Sequence, residues 1–163
     1  MLLLALLACS STTPAVIRQT PAIDVRLAEV RAAPQQFDGV QVRWGGVIAA
    51  VRNLQEQTQL DVVARRLDSD GRPYAEDHSD GRFLALVAGF VDPVLYEKGR
   101  ELTVRGTLAG TQEQPIGEYR YTYPVLRVEH IYLWPPRLPP PPLYDEPWWW
   151  DPWYPWYGPP RRW

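Results

Sequence analysis

Alternation broken by glycine is the feature that most constrains this chain. Val40, Val42 and Trp44 fall on one side of an extended segment, with Gln41 and Arg43 on the other. That is the period-2 signature of a half-buried strand. Gly45-Gly46 interrupts it, and Val47-Ile48-Ala49-Ala50-Val51 continues it. A glycine pair inside a strand predicts a bulge or a sharp coil, which a small, highly curved barrel needs.

The pattern recurs. Thr58–Arg65 sets Leu60 and Val62 on one face, after a hairpin over Asn53–Gln57. Arg82–Val87, Glu101–Gly110 and Tyr121–Trp134 read as further strands, with Pro124 marking an edge or a bend in the last. Val40–Val47 and Leu102–Leu108 share a weak echo of alternating apolar residues, then Arg, then Gly. Before the strands, Asp24 can cap a short helix over Val25–Val30, broken near Pro34, and Gln35–Gly39 reads as a turn. The fold class these elements predict is all-β. We expect a small OB-like, partly open Greek-key β-barrel with one short N-terminal helix and an extended Pro/Trp-rich C-terminal tail. A small sandwich is the alternative.

The N-terminus carries a second signal. Leu2–Ala8 is an apolar run ending at Cys9, the only cysteine in the chain. Leu6-Leu7-Ala8-Cys9 reads as a lipobox, in which the cysteine becomes the first mature residue and carries lipid. Ala8 is small enough for the extended backbone to fit a peptidase, and Leu6 supplies the apolar residue three positions earlier. The run is too short to span a bilayer and has the length of a signal-peptide apolar region. No basic residue precedes it, so the n-region is expected to be truncated. A buried N-terminal element with an inert core cysteine is the plainer reading. Ser10-Ser11-Thr12-Thr13-Pro14 suits a tether, and Ser10 directly after the cysteine points to the outer membrane.

The other end is compositionally separate. From Pro135 onward lie eleven of the eighteen prolines and six of the eight tryptophans. Pro139–Pro142 favours a polyproline II spacer. Beyond it, Trp148, Trp149, Trp150, Trp153 and Trp156 are candidates for contact with a membrane or a partner, because indole rings favour membrane–water interfaces. Arg161 and Arg162 would add attraction to anionic headgroups. A tail that is disordered or folds back on the barrel is the alternative. The expected organisation is a signal peptide over 1–8, a lipidated Cys9 and flexible tether over 9–22, a barrel domain over 23–134, and a tail over 135–163.

Charge and motifs exclude more than they assign. A formal net charge of −2 argues against an electrostatic grip on nucleic acid. A single cysteine forms no intramolecular disulfide. Asp68-Ser69-Asp70-Gly71 with Glu76–Asp80 invites a cation reading, but an EF-hand loop counted from Asp68 puts Pro73 and Ser79 where Gly and Glu belong. The Asp-Gly pairs at 70–71 and 80–81 read as turns. His78 and His130 have no partner by spacing, and His130 is expected on the surface. Trp44, Tyr121, Tyr123 and scattered arginines could imitate a base-stacking groove, but Trp44 continues the apolar face of Val40 and Val42 and is expected in the core. No metal or catalytic residues are expected.

Several stretches, taken together, resemble a family. Cys9, Ala33–Gly39, Val42–Ile48, Leu67–Pro73, Gly81–Phe83, Gly89–Pro93 and Gly99–Gly106 are similar in kind and order to the Slp family, named for starvation-inducible outer-membrane lipoproteins of Gram-negative bacteria. The resemblance spans about residues 1–134 and stops at the tail. It implies a lipid-anchored outer-membrane protein with an OB-like barrel. The lipid would be a diacylglycerol with an N-acyl chain, palmitate among the acyl groups, on Cys9, and no other cofactor is implied. It implies no reaction and no catalytic residues. The expected role is structural or interaction-mediating, and the family name implies a link to starvation or stress. The expected partners are the membrane through the anchor and an envelope protein or cell-wall glycan, with no nucleic acid. The alternative is a ligand- or glycan-binding OB-type module of the periplasm.

Overall fold

The computed structural model describes residues 13–138. Five strands dominate it: β1 (Gln41–Asn53), β2 (Gln57–Arg65), β3 (Arg82–Ala88), β4 (Glu101–Ile116) and β5 (Tyr119–Leu133). They close into a barrel in the order β1-β2-β3-β5-β4. All neighbours are antiparallel except β3 and β5, which run parallel over Leu84–Leu86 against Val125–Arg127. This is the OB arrangement. The β3–β5 seam is its shortest ladder, and ring closure rules out the sandwich.

The interior is filled. Leu60, Val62, Phe83, Ala85, Leu102, Val104 and Leu126 are all 0% exposed and form one cluster with Trp44. Trp44 meets Phe83 edge-on, with ring centroids 5.3 Å apart. Its indole Nε1–H donates to the Val25 carbonyl at 2.8 Å, satisfying the one polar atom it buries.

The glycines act differently from the expectation. The ladder register passes through Gly45 and Gly46 without a break on both sides. The bulge lies further on, where Ile48 pairs with Val62 but Ala50 with Asp61, leaving Ala49 as the extra residue. Gly46 instead permits a close crossing: a Cβ there would sit 1.9 Å from the Val63 carbonyl oxygen. Gly106 does the same, its Cβ falling 2.0 Å from the Arg127 oxygen. The echo between β1 and β4 therefore has a steric cause, a coiled strand pressed against its neighbour's backbone.

The N-terminal elements are two short helices, α1 (Ala15–Arg18) and α2 (Leu27–Ala32), followed by a 3-10 turn over Pro34–Gln36. The helix starts at Leu27 and not after Asp24. Arg26 is extended, and its N–H donates to Glu29 Oε2 at 3.0 Å. Val25 is drawn out of the helix because its carbonyl serves Trp44 and its side chain is buried. Within the segment expected as a flexible tether, residues 13–22 carry α1 and bury Ile17 to 1% exposure, so the chain is already packed there.

β4 and β5 run on beyond the barrel as a long hairpin arm, Thr111–Ile116 paired with Tyr119–Pro124. Sequence alternation located only the first part of β4, because Thr111-Gln112-Glu113-Gln114 is polar throughout.

Candidate functional site

The arm curls back over the outer face of β2 and β3. Gln59, Asp61, Arg82 and Leu84 point outward there, alternating with the core residues Leu60, Val62 and Phe83. Tyr123 Oη donates to Asp61 Oδ2 at 3.1 Å, and Arg82 Nη1 donates to the same oxygen at 3.0 Å. Gln59 and Gln114 exchange amide hydrogen bonds at 3.1 and 3.2 Å. Tyr121 Oη accepts the Arg82 backbone N–H at 2.8 Å, and its ring lies beneath the Arg31 guanidinium. Leu84, Tyr123 and Val125 form a second small core, with Leu86, Ala109, Ile116 and Tyr121 packed on it.

The electrostatics follow from that burial. Desolvation pushes the Tyr123 phenol above its ordinary value, and the Asp61 carboxylate beside it pushes the same way. Asp61 Oδ1 is buried with no hydrogen-bond partner among the described residues. The cluster holds the arm with a neutral phenol, a carboxylate and a guanidinium. OB barrels use the β2–β3 face and the β4–β5 loop to bind oligomeric ligands. Here this chain's own arm lies on that face.

A second site sits where the N-terminal segment crosses β1. Arg43 and Arg105 are direct ladder partners, two like charges facing each other on the barrel wall. The backbone of α1 answers them. Arg43 Nη1 donates to the carbonyls of Ile17 (2.9 Å) and Arg18 (2.6 Å), and Arg105 Nη1 to that of Val16 (3.5 Å). Burial lowers the Arg43 pKa, and Asp24 opposes that shift. Beside this strap a groove of about 600 Å³ is lined by Asp24, Arg26, Trp44, Arg65, Arg66 and His78, among others.

The third cluster fixes the start of the tail. Trp134 Nε1–H donates to Thr103 Oγ1 at 2.9 Å, and that hydroxyl donates to the Gly71 carbonyl at 2.6 Å. Glu101 accepts Arg72 Nε and Arg137 Nε, both at 2.8 Å. Asp68 Oδ1 accepts the backbone N–H groups of Asp70 and Arg72 at 2.9 Å, a local turn that shapes the loop. The Asp68–Pro73 stretch thus clamps the end of β5. Among the described residues no three His, Cys, Asp or Glu side chains gather as a metal site.

The structure separates the residues singled out from sequence. Trp44 is in the core, Tyr123 and Tyr121 hold the arm, and His78 and His130 are exposed. Cys9, Trp148, Trp149, Trp150, Trp153 and Trp156 lie outside the described residues. Sequence reasoning missed the Asp61–Arg82–Tyr123 cluster. Asp61 inside Leu60-Asp61-Val62-Val63 was the one local signal, and nothing local marks a partner 62 positions away.

Comparisons with known proteins bear on the whole. The model of a family described as "Outer membrane lipoprotein Slp family" matches residues 6–161. The match takes in Cys9 and also runs through most of the tail, where the resemblance read from the motifs had stopped. An uncharacterized lipoprotein of Escherichia coli (strain K12), YeaY, is 34% identical over 154 residues, covering 92% of this chain and 75% of its own. The outer membrane protein Slp of the same organism is 33% identical over 131 residues, covering 79% and 69%. Among solved structures, a small single-stranded DNA-binding protein from Streptomyces coelicolor aligns at a TM-score of 0.36 with 16% identity, over 58% of this chain and 94% of its own. A likeness of that size says nothing about what this chain binds.

Proposed function

The chain belongs to the outer membrane lipoprotein Slp family, and from that premise we propose that Cys9 carries its lipid and that the barrel is a non-catalytic interaction module held at the periplasmic side of the outer membrane. The observation that carries this reading is the arm. Leu84 lies on the outer face of β3 yet is 0% exposed, because Tyr123 and its neighbours cover it. A barrel with a filled interior and its own hairpin over the β2–β3 face has less open surface there for an oligomeric ligand. The tail, through Trp148, Trp149, Trp150, Trp153 and Trp156, is a contact with the membrane, a cell-wall glycan or an envelope protein. The link to starvation or stress rests on the family resemblance alone.

Two measurements test this. Intact mass of the protein from envelope fractions should show diacylglyceryl and N-acyl groups on Cys9, and Cys9→Ser should release it from the membrane. Pull-downs with full-length and 135–163-deleted protein should differ in captured partners or in peptidoglycan association. No difference in either removes the tail from the proposal.

The arginine-rich groove favours a second reading, a periplasmic binder of a small anionic ligand or glycan. Arg26, Arg43, Arg65 and Arg66 line it with Trp44, Asp24 and Asp80, and Arg66 is paired with Glu76 at 3.1 Å. A ligand present at about 100 times its Kd would stabilise the fold by about 2.7 kcal/mol. Thermal denaturation against anionic sugars would show this as a rise in Tm.

A further inference from the structure

At one pole of the barrel, the loop between β3 and β4 presents large apolar side chains to water. Phe90 is 72% exposed, Val94 76% and Leu95 57%, and Leu54 of the neighbouring β1–β2 turn is 46% exposed. The two turns are joined: the Gly89 N–H donates to the Glu56 carbonyl at 2.8 Å, and Thr58 Oγ1 donates to the Gly89 carbonyl at 3.0 Å. The loop is also built to hold its shape. Asp92 Oδ1 accepts the Val94 N–H at 2.8 Å, and Arg100 Nη1 donates to the Leu95 carbonyl at 3.2 Å. Val91 and Tyr96 face inward onto the core, so the loop is a lid on the barrel whose outer side is apolar. Soluble surfaces rarely gather such residues without a use.

The position of the N-terminus says what meets this pole. Thr13 is buried and lies four positions after Cys9. Four extended residues span at most about 14 Å. The α1 segment that follows lies against β4 and β5 at Arg105. Arg105 is three ladder positions from Leu102, whose partner Leu133 ends β5. That end is the apolar pole, since Arg100 Nη2 donates to the Trp134 carbonyl while its Nη1 donates to that of Leu95. Arg43, the other residue that holds α1, lies ten positions before Asn53, whose side-chain amide donates to the Val91 carbonyl, so the strap sits on the barrel wall between the two ends and a lipid on Cys9 keeps a bilayer within the barrel's own length of this pole. The arm turn at Gly117-Glu118 is much further along the ladder.

We infer that Phe90, Val94 and Leu95 dip into the interfacial region of the bilayer as a second membrane contact, setting how the barrel stands on the outer membrane. The inference rests on the lipidation of Cys9 proposed above. Asp92, Glu97, Lys98 and Arg100 leave the loop with no net charge, so the driving force is apolar burial. The contact should then change little with salt, unlike an electrostatic one.

The test uses the full-length lipidated chain in vesicles of phosphatidylethanolamine and phosphatidylglycerol. Val94→Cys is labelled with an environment-sensitive fluorophore, and Glu118→Cys on the arm turn is the reference. Supporting the inference, the Val94 label shifts to the blue on reconstitution and is quenched by headgroup-proximal nitroxide lipid at least threefold more than the reference. Equal quenching at the two positions overturns it. A Val94 label already shifted without vesicles also overturns it, by placing the tail or a second copy on the pole. If the parent chain takes up label at Cys9, the lipidation reading has failed separately. The pole is then judged by the Cys9→Ser chain alone: Phe90→Ser with Leu95→Ser should reduce its vesicle partitioning at least tenfold, and an unchanged value overturns the inference.

Discussion

Tyr123 Oη donates to Asp61 Oδ2 at 3.1 Å, and through that bond the β4–β5 arm is fastened to the outer face of β2. Arg82 Nη1 reaches the same oxygen at 3.0 Å. Two strands that share no ladder with each other are joined by a phenol, a carboxylate and a guanidinium. The arm in turn buries Leu84 and takes up the face by which barrels of this topology meet oligomers.

Removing the phenol hydroxyl tests that fastening. Tyr123→Phe leaves a carboxylate whose other oxygen already lacks a partner. It should cost about 1–2 kcal/mol in urea denaturation. Tyr123→Ala also empties the second core and should cost about 3–5 kcal/mol. A value near zero for both would mean the arm is not held by this contact.

Alkaline titration gives an independent reading. The Tyr123 and Tyr96 phenols are both raised, chiefly by burial. Below about pH 10 the folded and unfolded chains both keep these protons. Above it the unfolded chain loses them first, so stability falls as pH rises from about 10 upward. Tyr123→Phe should flatten part of that decline, as measured by the midpoint of unfolding across pH 8 to 11.

The glycines at strand crossings are steric. Gly46→Ala places a methyl against the Val63 carbonyl, and Gly106→Ala places one against that of Arg127. Backbone must move in either case. Each should destabilise by about 3 kcal/mol or more, read as a lower melting temperature. An unchanged melting temperature would show that the strands can separate freely there.

The N-terminal strap should open locally. Arg43→Ala removes the donors that hold the Ile17 and Arg18 carbonyls. Such bonds are worth about 1.5–3 kcal/mol, so proteolytic cleavage within residues 13–22 should accelerate at least about tenfold. The global melting temperature should move far less. Cleavage at the parent rate would show that Ile17 burial alone retains the segment.

At the root of the tail, the two arginines on Glu101 differ in exposure. The Glu101 side chain is 12% exposed, Arg72 23% and Arg137 44%. Glu101→Gln should cost about 1–2 kcal/mol, whereas Arg137→Ala should stay under about 1 kcal/mol, because solvent screens the more exposed partner. Chemical denaturation of both variants separates the two roles.

By itself, the sequence determined the strands and their inward faces. Leu60, Val62, Trp44 and Val104 were legible because a strand turns alternate side chains the same way, a property of the local backbone. It also carried the signals at the two ends, Cys9 and the tryptophans. Only the tertiary structure decided what lies on the outward faces. Leu84 is an outward residue that becomes buried, and Asp61 one that becomes largely covered, because an arm whose Tyr123 lies 39 and 62 positions further on returns over them. Likewise Asp24 could not cap a helix once Trp44 claimed the Val25 carbonyl, and the bulge moved to Ala49 once Gly46 was needed for a close crossing. Period-2 alternation reports which residues share a side of a strand. What covers that side is set by contacts between distant segments, and no local pattern encodes those.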